Sequence, residues 1–169
     1  FVDLPAPINS GDVVNIEVFY GGEPAQDASG WGGFYFQGNY AYNMGVGFAA
    51  EPHNYGRVWH PCIDNFVERA TYIFNITTLN GDMAVCNGLL TNETDNGDGT
   101  TTWQWELGQT IPTYLASIAV GEFTTVEYLH QGMDTVFPVV LAAVPNDTAD
   151  MNASFINLPA NIDVFEAAY

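Results

Sequence analysis

The sequence predicts an all-β domain that ends in a short C-terminal helix. Three observations predict it. Apolar and polar residues alternate with a period of two over several short runs, which marks strands with one covered face. Val, Ile, Thr, Tyr, Phe and Trp fill those runs, while Gly, Asn, Asp and Pro cluster between them. Only near the C-terminus does the apolar spacing change to threes and fours.

In DVVNIEVFY (12–20), Val14, Ile16, Val18 and Tyr20 alternate with Val13, Asn15, Glu17 and Phe19, which predicts a first strand. GFYFQ (33–37) is the next β-rich run, and the Gly-rich NMGVGFAA (43–50) reads as a strand that another backbone approaches closely. ATYIFNITT (70–78) places Ala70, Tyr72, Phe74 and Ile76 on one face. MAVCNGLL (83–90) is a further β-rich run. TNETDNGDGT (91–100) reads as a hairpin tip whose Asn-Gly and Asp-Gly pairs supply positive φ. Its carboxylates lack the Asp-x-Asp/Asn-x-Asp-Gly spacing of an EF-hand loop, so turn chemistry is the better account. TTTWQWEL (100–107) brings Trp103, Trp105 and Leu107 together. TYLASIAVGEF (113–123) and TVFPVVLAAV (135–144) complete the strands, with Pro138 confining the start of the last to an edge or a bulge. Met151, Phe155, Leu158, Ile162, Phe165 and Tyr169 then step along one helical face. Pro159 interrupts it, which predicts two short helices with Pro159 opening the second.

These boundaries predict a β domain over 1–146 and a helical segment over 147–169 that leads towards something further. A chain opening on Phe1 is expected to have been trimmed. The 169 residues suit one domain, and 47% hydrophobic with 14% aromatic content argues against disorder. The net charge of −18 arises because 20 acidic residues face only two cations, Arg57 and Arg69. Such a surface repels phosphate backbones and anionic lipid, which disfavours nucleic acid and membrane surfaces as partners; solubility or a salty environment is the better account of it, and a cationic ligand or cation-binding surface the alternative. No apolar run is long enough for a membrane span. Cys62 and Cys86 permit one disulfide, and Asn75, Asn92, Asn146 and Asn152 open Asn-x-Ser/Thr sequons, so the reading leans extracytoplasmic or secreted.

Both cations lie in GRVWHPCIDNFVERA (56–70), beside a His, a Cys and an Asp. A zinc site needs three or four converging ligands. His60 and Cys62 can share a strand face, but His53, Cys86 and His130 are scattered, and none of the three His opens a His-Glu-x-x-His frame. A Cys-His nucleophile needs a base oriented by a third group; flanked by Val58, Trp59 and Ile63, Cys62 suits a buried, inert thiol better. No phosphate loop and no Gly-x-Ser-x-Gly elbow occurs. The remaining reading is structural: Arg57 buried and paired with a carboxylate, Asp64 being nearest.

GRVWHPCIDNFVERATYIFNI resembles the Arg-x-x-(aromatic)-Pro-Cys-x-Asp segment of the aminopeptidase N-like zinc peptidases. INSGDVVNIEVFYGG (8–22), GDMAVCNGLL (81–90), IPTYLASIAVGEF (111–123) and NIDVFEAAY (161–169) resemble that family's flanking segments in the same order. The resemblance implies a non-catalytic N-terminal β domain, mostly antiparallel and saddle-like or sandwich-like, that buttresses a thermolysin-like catalytic domain and forms one wall of the peptide cleft. It implies that Arg57, Trp59, Pro61, Cys62 and Asp64 shape the fold, that no catalytic or metal-binding residue lies in this chain, and that zinc belongs to the parent protein. The implied partners are the catalytic domain and, in the parent, a peptide substrate. The family's Gln in the first substrate pocket falls here on Ala50, beside Glu51, and Asn65-Phe66 stands where the family has an acidic-Pro pair. Ala50 and Glu51 are therefore the cleft-wall candidates. The alternative is a free-standing β-sandwich binding carbohydrate or protein through Trp31, Tyr35, Tyr40 and Tyr42.

Overall fold

The computed structural model describes residues 6–168. In chain order they form β1 (Gly32–Gln37), β2 (Tyr40–Gly47), β3 (Arg69–Leu79), β4 (Met83–Cys86), β5 (Leu89–Asp95), β6 (Thr100–Pro112), β7 (Ile118–Gly121), β8 (Thr124–Gln131), β9 (Val136–Ala143), α1 (Thr148–Ser154) and α2 (Leu158–Ala168). All strand pairs are antiparallel. They make a four-stranded sheet ordered β1-β2-β7-β4, a three-stranded sheet ordered β3-β6-β5, and the separate hairpin β8-β9.

Alternation decides how the first two sheets meet. On β3 and β6, Tyr72 stands opposite Leu107, Phe74 opposite Trp105 and Ile76 opposite Trp103. Cross-strand aromatic and β-branched pairs of this kind stabilise a ladder by roughly 0.2–1 kcal/mol each. Phe74 and Trp105 are buried together with Cys86 and Ile118 of the facing sheet and with Ala116 just before β7, and Phe34, Trp59 and Val85 close around them. The Trp105 indole N–H donates to the Ala84 carbonyl at 2.9 Å, so even the polar atom of this core residue bridges the sheets. Where β2 and β7 share only a short ladder, the buried Asn43 extends it. Its amide donates to the Ala116 carbonyl at 3.0 Å and accepts the Ile118 N–H at 2.7 Å.

Several expectations hold locally. The tip between β5 and β6 has positive φ at Gly97 and Gly99. Gly45 is the predicted close approach, since a Cβ there would lie 1.6 Å from the Tyr114 carbonyl oxygen. Pro138 lies in β9, whose only partner among the described residues is β8, so it occupies an edge strand. Pro159 falls in the first turn of α2, which follows α1 as a separate helix.

Five differences are informative. Residues 12–20 form no strand; they run unpaired and exposed, with Val13 91% and Phe19 88% accessible. Alternation reports a preference for extended backbone, but a strand also needs a neighbouring edge, and no described residue supplies one. The run 83–90 is two strands in two sheets. Gly88, at φ +97, turns the chain against β6, where a Cβ would lie 2.2 Å from the Glu106 carbonyl oxygen. Of 113–123, Thr113–Leu115 is a 3-10 turn and only β7 is strand. The helical stripe is split as well: Met151 is buried, whereas Phe155 and Phe165 are exposed and Tyr169 lies outside the described residues. Strand β8 (TTVEYLHQ) is additional, and its turns of Val126, Tyr128 and His130 towards one side were there to be counted.

Candidate functional site

The loop from Asn54 to Asp64 is closed by polar side chains rather than by a ladder. Asn54 is fully buried, and its amide donates to the Asp64 carbonyl. Arg57 sits in the 3-10 turn Gly56–Val58. Its backbone N–H donates to the Asp64 Oδ2 at 3.1 Å, and its Nη1 donates to the same oxygen and to the Asn54 carbonyl, both at 2.8 Å. The guanidinium also lies over the Tyr55 ring, 5.1 Å from its centre. From the facing turn, the Thr113 hydroxyl donates to the Ile63 carbonyl at 2.9 Å. Arg57 and Asp64 thus pair as the sequence predicts, but the burial is reversed. The Asp64 side chain is 4% exposed and that of Arg57 is 45% exposed. A long side chain with a charged tip keeps its head in water while reaching a short, enclosed carboxylate. Burial pushes the Asp64 carboxyl up, yet the hydrogen bonds from Asn54, Arg57 and Gly56 outweigh it and hold its pKa below the ordinary value.

The loop's two chemically active side chains are His60 and Cys62. Trp59 packs on the core, with the His60 ring 4.3 Å away and Tyr72 on the far side of that imidazole at 6.3 Å. Burial lowers the His60 pKa in spite of the opposing Asp64 charge, which favours the neutral ring. Pro61 is exposed. Burial, and then the Asp64 charge, push the Cys62 thiol up, and burial alone pushes Cys86 up to about 12. Both cysteines are free thiols. Protonated thiols are poor nucleophiles and poor ligands, and among the described residues no third ligand joins His60 and Cys62. This loop does not fit a catalytic zinc.

Ala50 and Glu51 lie in the bend that follows β2, with Ala50 half-buried, Glu51 exposed and the Glu51–Pro52 peptide cis. Asp27 anchors this bend. Its Oδ1 accepts the Ala49 N–H at 2.9 Å, the Ser29 N–H at 2.9 Å and the Ser29 hydroxyl. Gly47 makes room for it, since a Cβ there would lie 2.4 Å from Asp27 Oδ2. The Ser29 hydroxyl is the main cause that lowers the Asp27 pKa to about 2. Asp27, Asn43, Asn54 and Thr113 escaped the sequence reading. Only Asp27-x-Ser29, an Asx-turn spacing, carried a local signal; Asn54 acts on backbone ten residues on, and Asn43 and Thr113 on backbone far away in the chain.

A cavity of about 440 Å³ lies beside the clamped loop, bounded by Tyr20–Pro24, Phe34, Phe36, Trp59 and His60. The aromatic residues of the alternative reading do not form one platform. Trp31 stacks on Phe48, Tyr35 on Tyr42, and Tyr40 leans on Phe123.

Residues 1–115 match the family model of the Peptidase M1 N-terminal domain. The chain belongs to that family. No curated protein matches the sequence. Among solved structures, the M1 zinc metallopeptidase from Deinococcus radiodurans, in a mutant bound to a Tyr-Ser-Ala substrate, is 22% identical with a TM-score of 0.63, over 73% of this chain and 28% of that one. A two-domain M1 zinc metallopeptidase mutant bound to L-arginine is also 22% identical, with a TM-score of 0.62 over 73% of this chain and 27% of that one. Legionella pneumophila aminopeptidase A, in complex with aspartic acid, is 18% identical with a TM-score of 0.56, over 69% and 13%. At these identities the likeness is one of fold. This M1 N-terminal domain spans under a third of the structures it resembles, and the clamped loop lies within the matched residues.

Proposed function

We propose that this M1 N-terminal domain buttresses a zinc-dependent catalytic domain of the same polypeptide and forms one wall of its peptide cleft. The observation that carries the reading is the pairing of two neighbouring features. An exposed bend with Ala50 and Glu51 is anchored by Asp27, and directly after it the Arg57–Asp64 clamp fixes the chain to the core. Rigid support close behind an exposed bend is what a cleft wall requires, because a misplaced positioning residue weakens catalysis without touching the chemistry. In this reading Arg57, Trp59, Pro61, Cys62 and Asp64 are architectural, and the zinc and its general base belong to the catalytic domain. That zinc would supply Lewis-acid activation of water for peptide hydrolysis. Glu51 would meet the peptide's N-terminal side as a fixed negative charge. The four sequon asparagines are all exposed, in keeping with an extracytoplasmic parent protein.

The test uses the full-length protein. Its sequence beyond Tyr169 is expected to carry a Gly-Ala-Met-Glu-Asn loop and a His-Glu-x-x-His frame. Glu51→Gln is expected to raise KM for peptides with a free N-terminus severalfold and to leave kcat within about twofold, the pattern of lost uniform binding. A continuation without that frame, or unchanged KM across aminoacyl and internally quenched substrates, would overturn the proposal.

A further inference from the structure

The sequence leaves His130 without a role, and its distance along the chain from every other candidate ligand hides where it goes. In the fold it faces α2. His130 is 7% exposed, and its Nε2 lies 3.2 Å from the Asp163 Oδ1. Despite that distance, the enclosed Nε2 has no hydrogen-bond partner among the described residues. Glu166, one turn further along α2, completes a triangle in which one ligand atom from each residue lies within 4.8 Å of the other two. The Glu166 Oε2 accepts the Met133 N–H at 3.2 Å, which fixes its carboxylate over the β8-β9 turn. Gly132 makes the space, because a Cβ there would lie 2.5 Å from Glu166 Oε1.

We propose that His130 Nε2, Asp163 and Glu166 form a site for a divalent cation of the zinc class, joining α2 to the β8-β9 hairpin. An imidazole with two carboxylates is a borderline ligand set that suits zinc and the later first-row metals better than calcium or magnesium, which take oxygen ligands almost alone. Metal bonds of about 2.0–2.2 Å place the donors of a tetrahedral site roughly 3.3–3.6 Å apart. The His130–Asp163 separation of 3.2 Å is already close to that length. Small rotations of the two exposed or half-buried carboxylates close the rest, and water completes the coordination. The site explains why a nearly buried imidazole nitrogen is aimed at two carboxylates without bonding either. It holds a structural ion, separate from any zinc of the catalytic domain, and its ligands come from outside the His-Glu-x-x-His frame on which the expectation of no metal in this chain rested.

The test titrates zinc into the EDTA-treated 169-residue chain, against a chromophoric chelator, at about pH 7.5. One equivalent is expected to bind and to raise the melting temperature. Asp163 is 64% exposed, so Asp163→Asn folds normally; it should weaken binding at least about tenfold, the loss caused even by an outer-shell partner. Glu166→Gln should do the same. Asp150→Asn, at an exposed carboxylate of α1 outside the triangle, should bind as the parent does. No bound equivalent in the parent, or an Asp150→Asn loss as large as that of Asp163→Asn, would overturn the proposal. The second result would assign the binding to the diffuse acidic surface.

Discussion

Residues 70–78 and residues 12–20 are built from the same kinds of side chain and live in different surroundings. In the first, Tyr72, Phe74 and Ile76 each stand opposite an aromatic or aliphatic residue of β6, and residues of β4 and β7 cover that same face. In the second, Val14, Ile16, Val18 and Tyr20 face solvent on one side as Val13 and Phe19 do on the other. Propensity is shared; the neighbouring edge is not. What orders a segment here is a partner, whether a strand, as for β3, or a set of hydrogen bonds, as for the loop from Asn54 to Asp64.

The contrast can be broken first in the core. Trp105→Ala removes the side chain that opposes Phe74 and ties the sheets through Ala84. A loss of about 3–5 kcal/mol is expected in denaturant melts, whereas Ile16→Ser, in the unpaired segment, should stay within about 0.5 kcal/mol. Comparable losses from the two would show that residues 12–20 are packed as well as β3.

The clamped loop sharpens the same point. Asp64→Ala removes the acceptor of two Arg57 hydrogen bonds from an enclosed position, and about 1.5–3 kcal/mol should follow. Arg57→Ala leaves Asp64 with other donors and takes away a half-exposed cation, so about 1 kcal/mol or less is expected. If Arg57→Ala proved the more damaging, the cation rather than the carboxylate would be the residue on which the loop depends.

A smaller effect separates Asp27 from the rest of the acidic surface. Its pKa is lowered to about 2 from an ordinary 3.8. A lowered carboxyl stabilises the fold above its unfolded value and loses that contribution as pH falls through the folded one. The advantage of the parent over Asp27→Asn should therefore be constant above about pH 5 and shrink between about pH 4 and 2. Melting both proteins across that range checks it, and the other carboxylates cancel in the difference. A gap independent of pH would mean that Asp27 acts by shape alone.

How much was legible in the sequence follows from the same distinction. The Phe74 and Trp105 faces could be read because alternation and pairing coincide there. Pro159 at the start of α2 could be read because the constraint is local. The Arg57–Asp64 pair was within reach because the partners are close in the chain. Its burial was not, because a residue's type does not say which partner the fold encloses. Asn43, which replaces ladder hydrogen bonds between β2 and β7, and the meeting of His130 with Asp163 and Glu166 depend on segments far apart in the chain. No local pattern encodes such meetings.

Amide hydrogen exchange across the described residues tests the account most directly, since protection reports local opening and not propensity. Amides of residues 70–78 that face β6 should exchange orders of magnitude more slowly than those of 12–20, which should exchange close to the rate of an unstructured peptide. Equal and strong protection of the two segments would contradict the claim that only the first has a partner.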